Sequence, residues 1–155
     1  MGLCLGNTYK SMVTASSIRA SERSEFPNNS EHPLGSQGSS KKTVLLVDDG
    51  DDCRITTKWF LANFGYAVDS VRSVEEALAL FDPRIHDLVI TDNRMPGMSG
   101  AEMAHIIKLR SPTTPVLMYT GLPPADQSCL DAVVQRPTHL LVLKEAVERL
   151  LASHP

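Results

Sequence analysis

What most limits the fold of this chain is a set of short, continuous apolar runs, each of which stops at a polar side chain. Thr43-Val-Leu-Leu-Val47 ends at Asp48 and Asp49, Asp87-Leu-Val-Ile-Thr91 at Asp92, Pro115-Val-Leu-Met-Tyr119 at Thr120, and Leu140-Leu-Val-Leu143 at Lys144. Tyr66 to Val71 adds a segment of alternating pattern. A strand with one face in water alternates apolar and polar residues, whereas a strand covered on both faces does not. Such runs predict a parallel sheet between two layers of helices.

The intervening segments supply those helices. Residues 51–64 place Phe60 and Phe64 one turn apart, with Thr56 and Thr57 on the neighbouring stripe, and Gly65 stands where a helix ends in left-handed backbone. Ser73-Val-Glu-Glu76 and Ser99-Gly-Ala-Glu102 are capping boxes. The first opens a helix through Phe81 that Pro83 ends, and the second a helix with Met103, Ile106 and Ile107 along its apolar face. A further helix is predicted from Pro124 to Val134, with proline in its first turn, and a last one from Glu145 to Ala152. The pattern is (βα)5, a doubly wound α/β three-layer sandwich.

Composition sets the boundaries. The 155 residues suit one domain rather than two. The first 42 hold nine serines and no sustained apolar period, so they are expected to form a disordered extension before a domain at 43–152 and a short tail at 153–155. That extension carries five basic and three acidic side chains, against ten and fifteen in the remainder. A net charge of −3 gives no basic field for nucleic acid. The longest apolar run, Ala77 to Phe81, is five residues, far below the ~20 that a membrane helix needs. Leu3-Cys4-Leu5 is too short for a secretory core, and Gly6 stands where a myristoylation signal needs Ser or Thr. Cys4, Cys53 and Cys129 are odd in number, with no Cys-x-x-Cys pair. They offer no zinc site and fit a cytoplasmic protein.

The polar residues gather at one edge. In a doubly wound sheet, ligands bind beyond the carboxyl ends of the strands, which is where Asp48, Asp49, Asp92, Thr120 and Lys144 fall. Three carboxylates in close proximity repel one another unless a cation sits among them. Hard oxygen donors select Mg²⁺, Ca²⁺ or Mn²⁺, and a small set of carboxylates with room for water favours Mg²⁺. A metal, an ammonium and a hydroxyl around one aspartate make a phosphoryl-transfer site, in which a carboxylate can be the nucleophile. Asp92, on the central strand, is the candidate.

At these positions the chain resembles the receiver domain of two-component response regulators. The matching segments are Val44-Leu-Leu-Val-Asp-Asp49, Asp87-Leu-Val-Ile-Thr-Asp92, Asn93-Arg-Met-Pro-Gly-Met-Ser-Gly100, Val116-Leu-Met-Tyr-Thr-Gly121 and Leu140-Leu-Val-Leu-Lys144. The resemblance implies a flavodoxin-like fold with strand order 2-1-3-4-5. It also implies that Asp92 takes a phosphoryl group from a histidine kinase or a histidine phosphotransfer protein. Asp48, Asp49, Asp92 and the backbone carbonyl of Arg94 would hold Mg²⁺, and Thr120, Gly121 and Lys144 would bind the phosphoryl oxygens. Two positions depart from the family pattern: Glu145 follows the lysine where proline, often cis, is usual, and Leu141 replaces the switch aromatic. A phosphorylation-dependent population shift is still expected on the helix-4/strand-5/helix-5 face.

Output is expected in trans, by contact with an effector protein, because only three residues follow the last predicted helix; a monomer or weak dimer is expected. Two other readings share these residues. A small phosphohydrolase of the haloacid dehalogenase type would place its nucleophile in Asp49-Gly-Asp51, but no late acidic pair follows Asp131. A receiver fold kept only for docking is the other. Among the remaining residues, Trp59 is expected half-exposed, His86, His105 and His139 at surface or boundary positions, and Asp51 and Asp52 as first-turn charges. Met95, Met98, Met103 and Met118 are expected to pack.

Overall fold

A computed structural model describes residues 41–153, so residues 1–40 of the predicted N-terminal extension lie outside them. The described residues form five strands and four helices, alternating except that β5 directly follows β4: β1 (Thr43–Val47), α1 (Asp51–Asn63), β2 (Ala67–Val71), α2 (Val74–Leu80), β3 (Leu88–Thr91), α3 (Gly100–Arg110), β4 (Val116–Thr120), β5 (Ala132–Gln135) and α4 (Leu140–Ser153). The strands form one parallel sheet in the order β2-β1-β3-β4-β5. The parallel sheet is what the apolar runs predict, and its order is the flavodoxin-like one that the resemblance implies.

Alternate residues of each buried strand feed opposite cores. Val44, Leu46, Leu88, Ile90, Leu117 and Tyr119 face one layer, where they meet Leu61 of α1 and Leu143, Val147 and Leu150 of α4. Leu45, Val47, Val89 and Val116 face the other, against Ala77 of α2 and Met103, Ala104 and Ile107 of α3. The central strands therefore read as unbroken apolar runs because both of their faces are dry. Helix starts follow the predicted chemistry. Ser73 Oγ accepts from the Glu76 amide, and Ser99 and Glu102 form a reciprocal capping box. Gly65 has φ of 92°, the left-handed geometry expected after α1.

The C-terminal third differs from the sequence expectation. The helix predicted for 124–134 is absent, and 121–131 is irregular, with bends and one turn at Ser128 and Cys129. The fifth strand is Ala132–Gln135, paired with β4 from Leu117↔Ala132 to Thr120↔Gln135. Asp131 anchors its start, accepting from the Val116 amide at 2.7 Å and from Lys108 Nζ at 2.6 Å. Leu140-Leu-Val-Leu143 is instead the first turn of α4. Leu143, Ala146, Val147 and Leu150 recur at helical spacing and are buried, while Leu141 and Val142 are 47% and 45% exposed. A strand in that place would leave half the helical stripe without a core to enter. His86 is also a correction: it is buried, its Nε2 lies 3.2 Å from Asp69, and its Nδ1 accepts from the Asp82 amide. Trp59 is 69% exposed, more than expected, and Met103 and Met118 are wholly buried as predicted.

Side-chain truncation separates helix from strand here. Leu143→Ala should cost about 2–5 kcal/mol in urea unfolding, the range for a buried leucine, whereas Leu141→Ala should change stability by about 0.5 kcal/mol or less. Comparable losses at the two positions would contradict the helical assignment.

Candidate phosphoryl-transfer site

The sheet register assembles the acidic cluster before any side-chain chemistry enters. Val47 pairs with Thr91, so the residues that follow them, Asp48 and Asp92, emerge side by side. The Asp92 amide donates to the Val47 carbonyl at 2.9 Å, which extends the ladder to the cluster itself. Asp49 completes the group: one carboxylate oxygen from each of Asp48, Asp49 and Asp92 lies within 4.8 Å of the others. Asp48 is buried, Asp92 is partly buried and Asp49 is exposed. Three hard oxygen donors that open towards water fit a Mg²⁺-type ion, which keeps several waters and takes few protein ligands.

The loop after β3 is folded tightly over Asp92. The Asp92 Oδ1 accepts from the Asn93 amide at 2.6 Å, Thr91 Oγ1 donates to the Asp92 carbonyl, and the Gly100 amide donates to the Asn93 carbonyl at 3.0 Å. A Cβ on Gly100 would lie 1.9 Å from the Asp92 carbonyl oxygen. Glycine is required here by close approach of the α3 N-terminus to the strand end, not by backbone conformation. Thr120 is buried at the end of β4, where its Oγ1 accepts from the Leu122 amide at 3.2 Å. Gly121 follows it and is exposed, as is Arg94 on the loop after β3.

Lys144 is not brought to this cluster. It lies on α4, where its Nζ pairs with Glu148 at 2.6 Å and sits 4.9 Å from the Phe64 ring centroid. The cation at the site is Arg136, which directly follows β5. Its Nη1 lies 3.1 Å from Asp48 Oδ2 and its Nη2 2.9 Å from Asp92 Oδ2. The Arg136 amide donates to the Thr120 carbonyl at 2.7 Å, so the two residues are fixed to the same end of the sheet. Its guanidinium also stands over the Tyr119 ring, 5.0 Å from the centroid, and contacts Cys53 Sγ. The Arg136–Pro137 peptide is cis. A basic residue followed by proline, the pair that Lys144-Glu145 lacks, thus stands eight residues earlier in the chain. That Arg-Pro pair after Ala132-Val-Val-Gln135 was the signal for this residue in the sequence. Leu141 stands on the first turn of α4, away from the strand that would carry a switch residue.

Burial opposes the charge on Arg136, yet its pKa lies above the ordinary arginine value, with Cys53, Asp92 and Asp48 favouring the cation. Burial first, and then the Asp48 charge, push the Cys53 thiol up. The thiol is therefore neutral near pH 7, and the two carboxylates supply the field that holds the guanidinium. A second arginine, Arg54, is buried beneath the β1 end. Its Nη1 donates to the Asp48 carbonyl at 2.7 Å, and its Nη2 pairs with Asp51. The pattern of α1 alone hid it, since a charged residue on that stripe reads as solvated.

Comparisons with known proteins agree with this fold. The model of the response regulator receiver domain matches residues 44–152. The regulatory protein VanRB of Enterococcus faecalis is 33% identical over 114 residues, covering 70% of this chain and 51% of VanRB. Response regulator TrrA of Thermotoga maritima, solved in complex with Mg²⁺-BeF, superposes with a TM-score of 0.67 at 33% identity, over 70% of this chain and 98% of that one. A CheY-like receiver from Methanospirillum hungatei gives a TM-score of 0.70 at 26% identity, over 74% and 97%. The chain spans between 20% and 51% of the length of the curated relatives that it matches first. Among the described residues no helix is long and apolar enough to cross a membrane.

The tight loop makes Gly100 a sensitive probe of the site. Gly100→Ala should destabilise the fold by about 1–3 kcal/mol, the usual cost of overpacking, and should shift the backbone amides of Asp92 and Asn93 in NMR spectra. A variant of unchanged stability and unchanged shifts would contradict the close approach.

Proposed function

Since the chain belongs to the response regulator receiver domain family, we propose that Asp92 is its phosphoacceptor, charged by the phosphohistidine of a histidine kinase or a histidine phosphotransfer protein. The observation that carries this reading is the position of Asp92 at the carboxyl end of the central strand. The acidic pair of β1 lies on one side, and Thr120 and Arg136 on the other.

In the transfer, a carboxylate oxygen of Asp92 attacks phosphorus as the phosphorus–nitrogen bond of the donor breaks. The imidazole keeps that electron pair and takes up a proton, and the product on this chain is an acyl phosphate. The protein's contribution is position and charge. Arg136 Nη2, already on Asp92 Oδ2, is placed to follow the incoming phosphoryl oxygens, a task that the sequence assigned to Lys144. The Thr120 hydroxyl and the Gly121 amide would donate to the remaining oxygens. Asp48, Asp49, Asp92 and the Arg94 carbonyl would hold Mg²⁺, which when bound neutralises charge that develops on the transferred group. The phosphorylated domain then signals by contact with an effector protein.

Incubation of the full chain with Mg²⁺ and acetyl phosphate, followed by intact mass, tests this directly. The wild type should gain one phosphate and Asp92→Asn none. Labelling that survives in the Asp92→Asn protein, or a wild type that takes up no phosphate, would overturn the assignment.

A further inference from the structure

We propose that Arg136 is a resident counter-ion of the acidic cluster, competing with the divalent cation for Asp48. One arm of the guanidinium must release that carboxylate before it can ligate an ion. The inference rests on the phosphoacceptor reading given above and concerns the regulation of the same site.

The two arms of Arg136 serve carboxylates from different strands. Nη1 reaches Asp48 Oδ2 at 3.1 Å, and Nη2 reaches Asp92 Oδ2 at 2.9 Å. Both carboxylates belong to the group whose oxygens converge within 4.8 Å, so the guanidinium and a metal ion draw on the same two carboxylates. The other oxygen of Asp48 is also engaged, since Oδ1 accepts from the Gly50 amide at 2.9 Å. Asp48 is 4% exposed and has little room to offer a fresh oxygen by rotation.

The guanidinium is held in place by the fold. The Arg136 amide is bonded to the Thr120 carbonyl, the Tyr119 ring lies beneath the cation, and Cys53 Sγ touches Nη1. A planar fork with donors on two nitrogens can span two carboxylates, whereas an ammonium is a single point charge on a stem that ends one bond earlier. Lysine at this position would therefore leave Asp48 freer. Withdrawal of Nη1 from Asp48 loses one charge-assisted hydrogen bond, and a dication near the displaced arm meets like charge. Together these correspond to about tenfold or more in cation affinity. Nη2 can remain on Asp92 throughout, so the release frees the metal position without emptying the phosphoryl position.

The test is a Mg²⁺ titration of the ¹⁵N-labelled full chain, followed by the amides of Asp49, Gly50 and Asn93. Arg136→Lys keeps the charge but not the fork, and it should bind Mg²⁺ about tenfold tighter than the wild type. Affinities within twofold of each other, or weaker binding by the variant, would overturn the proposal. The wild type gives a second readout that needs no variant. The Arg136 Nε–H resonance should move in step with Mg²⁺ occupancy, and a resonance that stays fixed while the Asp49 and Asn93 amides saturate would overturn it equally. Intact-mass labelling with acetyl phosphate keeps the two ideas apart. Phosphate on Asp92 with an unmoved Arg136 removes only the counter-ion inference. A changed Mg²⁺ affinity with no phosphate on Asp92 removes only the phosphoacceptor reading.

Discussion

A parallel ladder places residues in register without regard to their charge. Here that register sets Asp48 beside Asp92, because Val47 and Thr91 pair and the ladder continues one bond further to the Asp92 amide. Two carboxylates fixed in this way repel, and the strands cannot separate to relieve it, since their side chains fill both cores. The repulsion has to be met by a cation at the sheet edge. Arg136 meets it from β5 with one arm on each carboxylate, and Arg54 supports the same corner from below through the Asp48 carbonyl. An arginine withdrawn from water is tolerable only when paired, and both the buried Arg54 and the partly buried Arg136 are.

The rigidity of that edge comes from the layers beneath it. Every residue of β3 and β4 is buried, and the β1 residues Val44 to Val47 are as well. The strand ends are therefore positioned by packing on both sides. The loop that leaves Asp92 is closed by Gly100, whose missing side chain lets the first turn of α3 reach the strand end. A capping box at Ser99 fixes where that helix begins. The position of the Asp92 carboxylate is thus set by the core and by one helix terminus packed against the strand end.

Much of this was legible in the residues. Strands covered on both faces announce themselves as unbroken Val/Leu/Ile runs, which located β1, β3 and β4, and the capping boxes located α2 and α3. The edge strand β5 has only one neighbour, and Ala132-Val-Val-Gln135 is correspondingly short and only partly buried. Its signal was weaker than that of Leu140-Leu-Val-Leu143, an apolar run that suits a strand or a buried helix turn equally well by composition. Choosing the stronger run moved the basic site residue to Lys144. The Arg-Pro pair at 136–137 carried the information that the apolar pattern lacked. His86 shows the same limit in small, because a histidine's partners, Asp69 and the Asp82 amide, are set by tertiary contacts that no local pattern records.

The segment between β4 and β5 is irregular where a helix was expected, and its first residues reach the site. Asn93, next to the acceptor, donates from Nδ2 to the Leu122 carbonyl at 2.9 Å, while the Leu122 amide donates to Thr120 Oγ1 at 3.2 Å. One residue of the segment therefore binds both the neighbour of Asp92 and the hydroxyl beside it. Asn93 Oδ1 is buried and has no hydrogen-bond partner, a situation that costs about 1–3 kcal/mol. The bond to Leu122 holds the amide against that cost. Displacement of either Asn93 or Thr120 is felt at Leu122, which is hydrogen-bonded to both, so the sheet edge and the 121–131 segment form one connected polar unit.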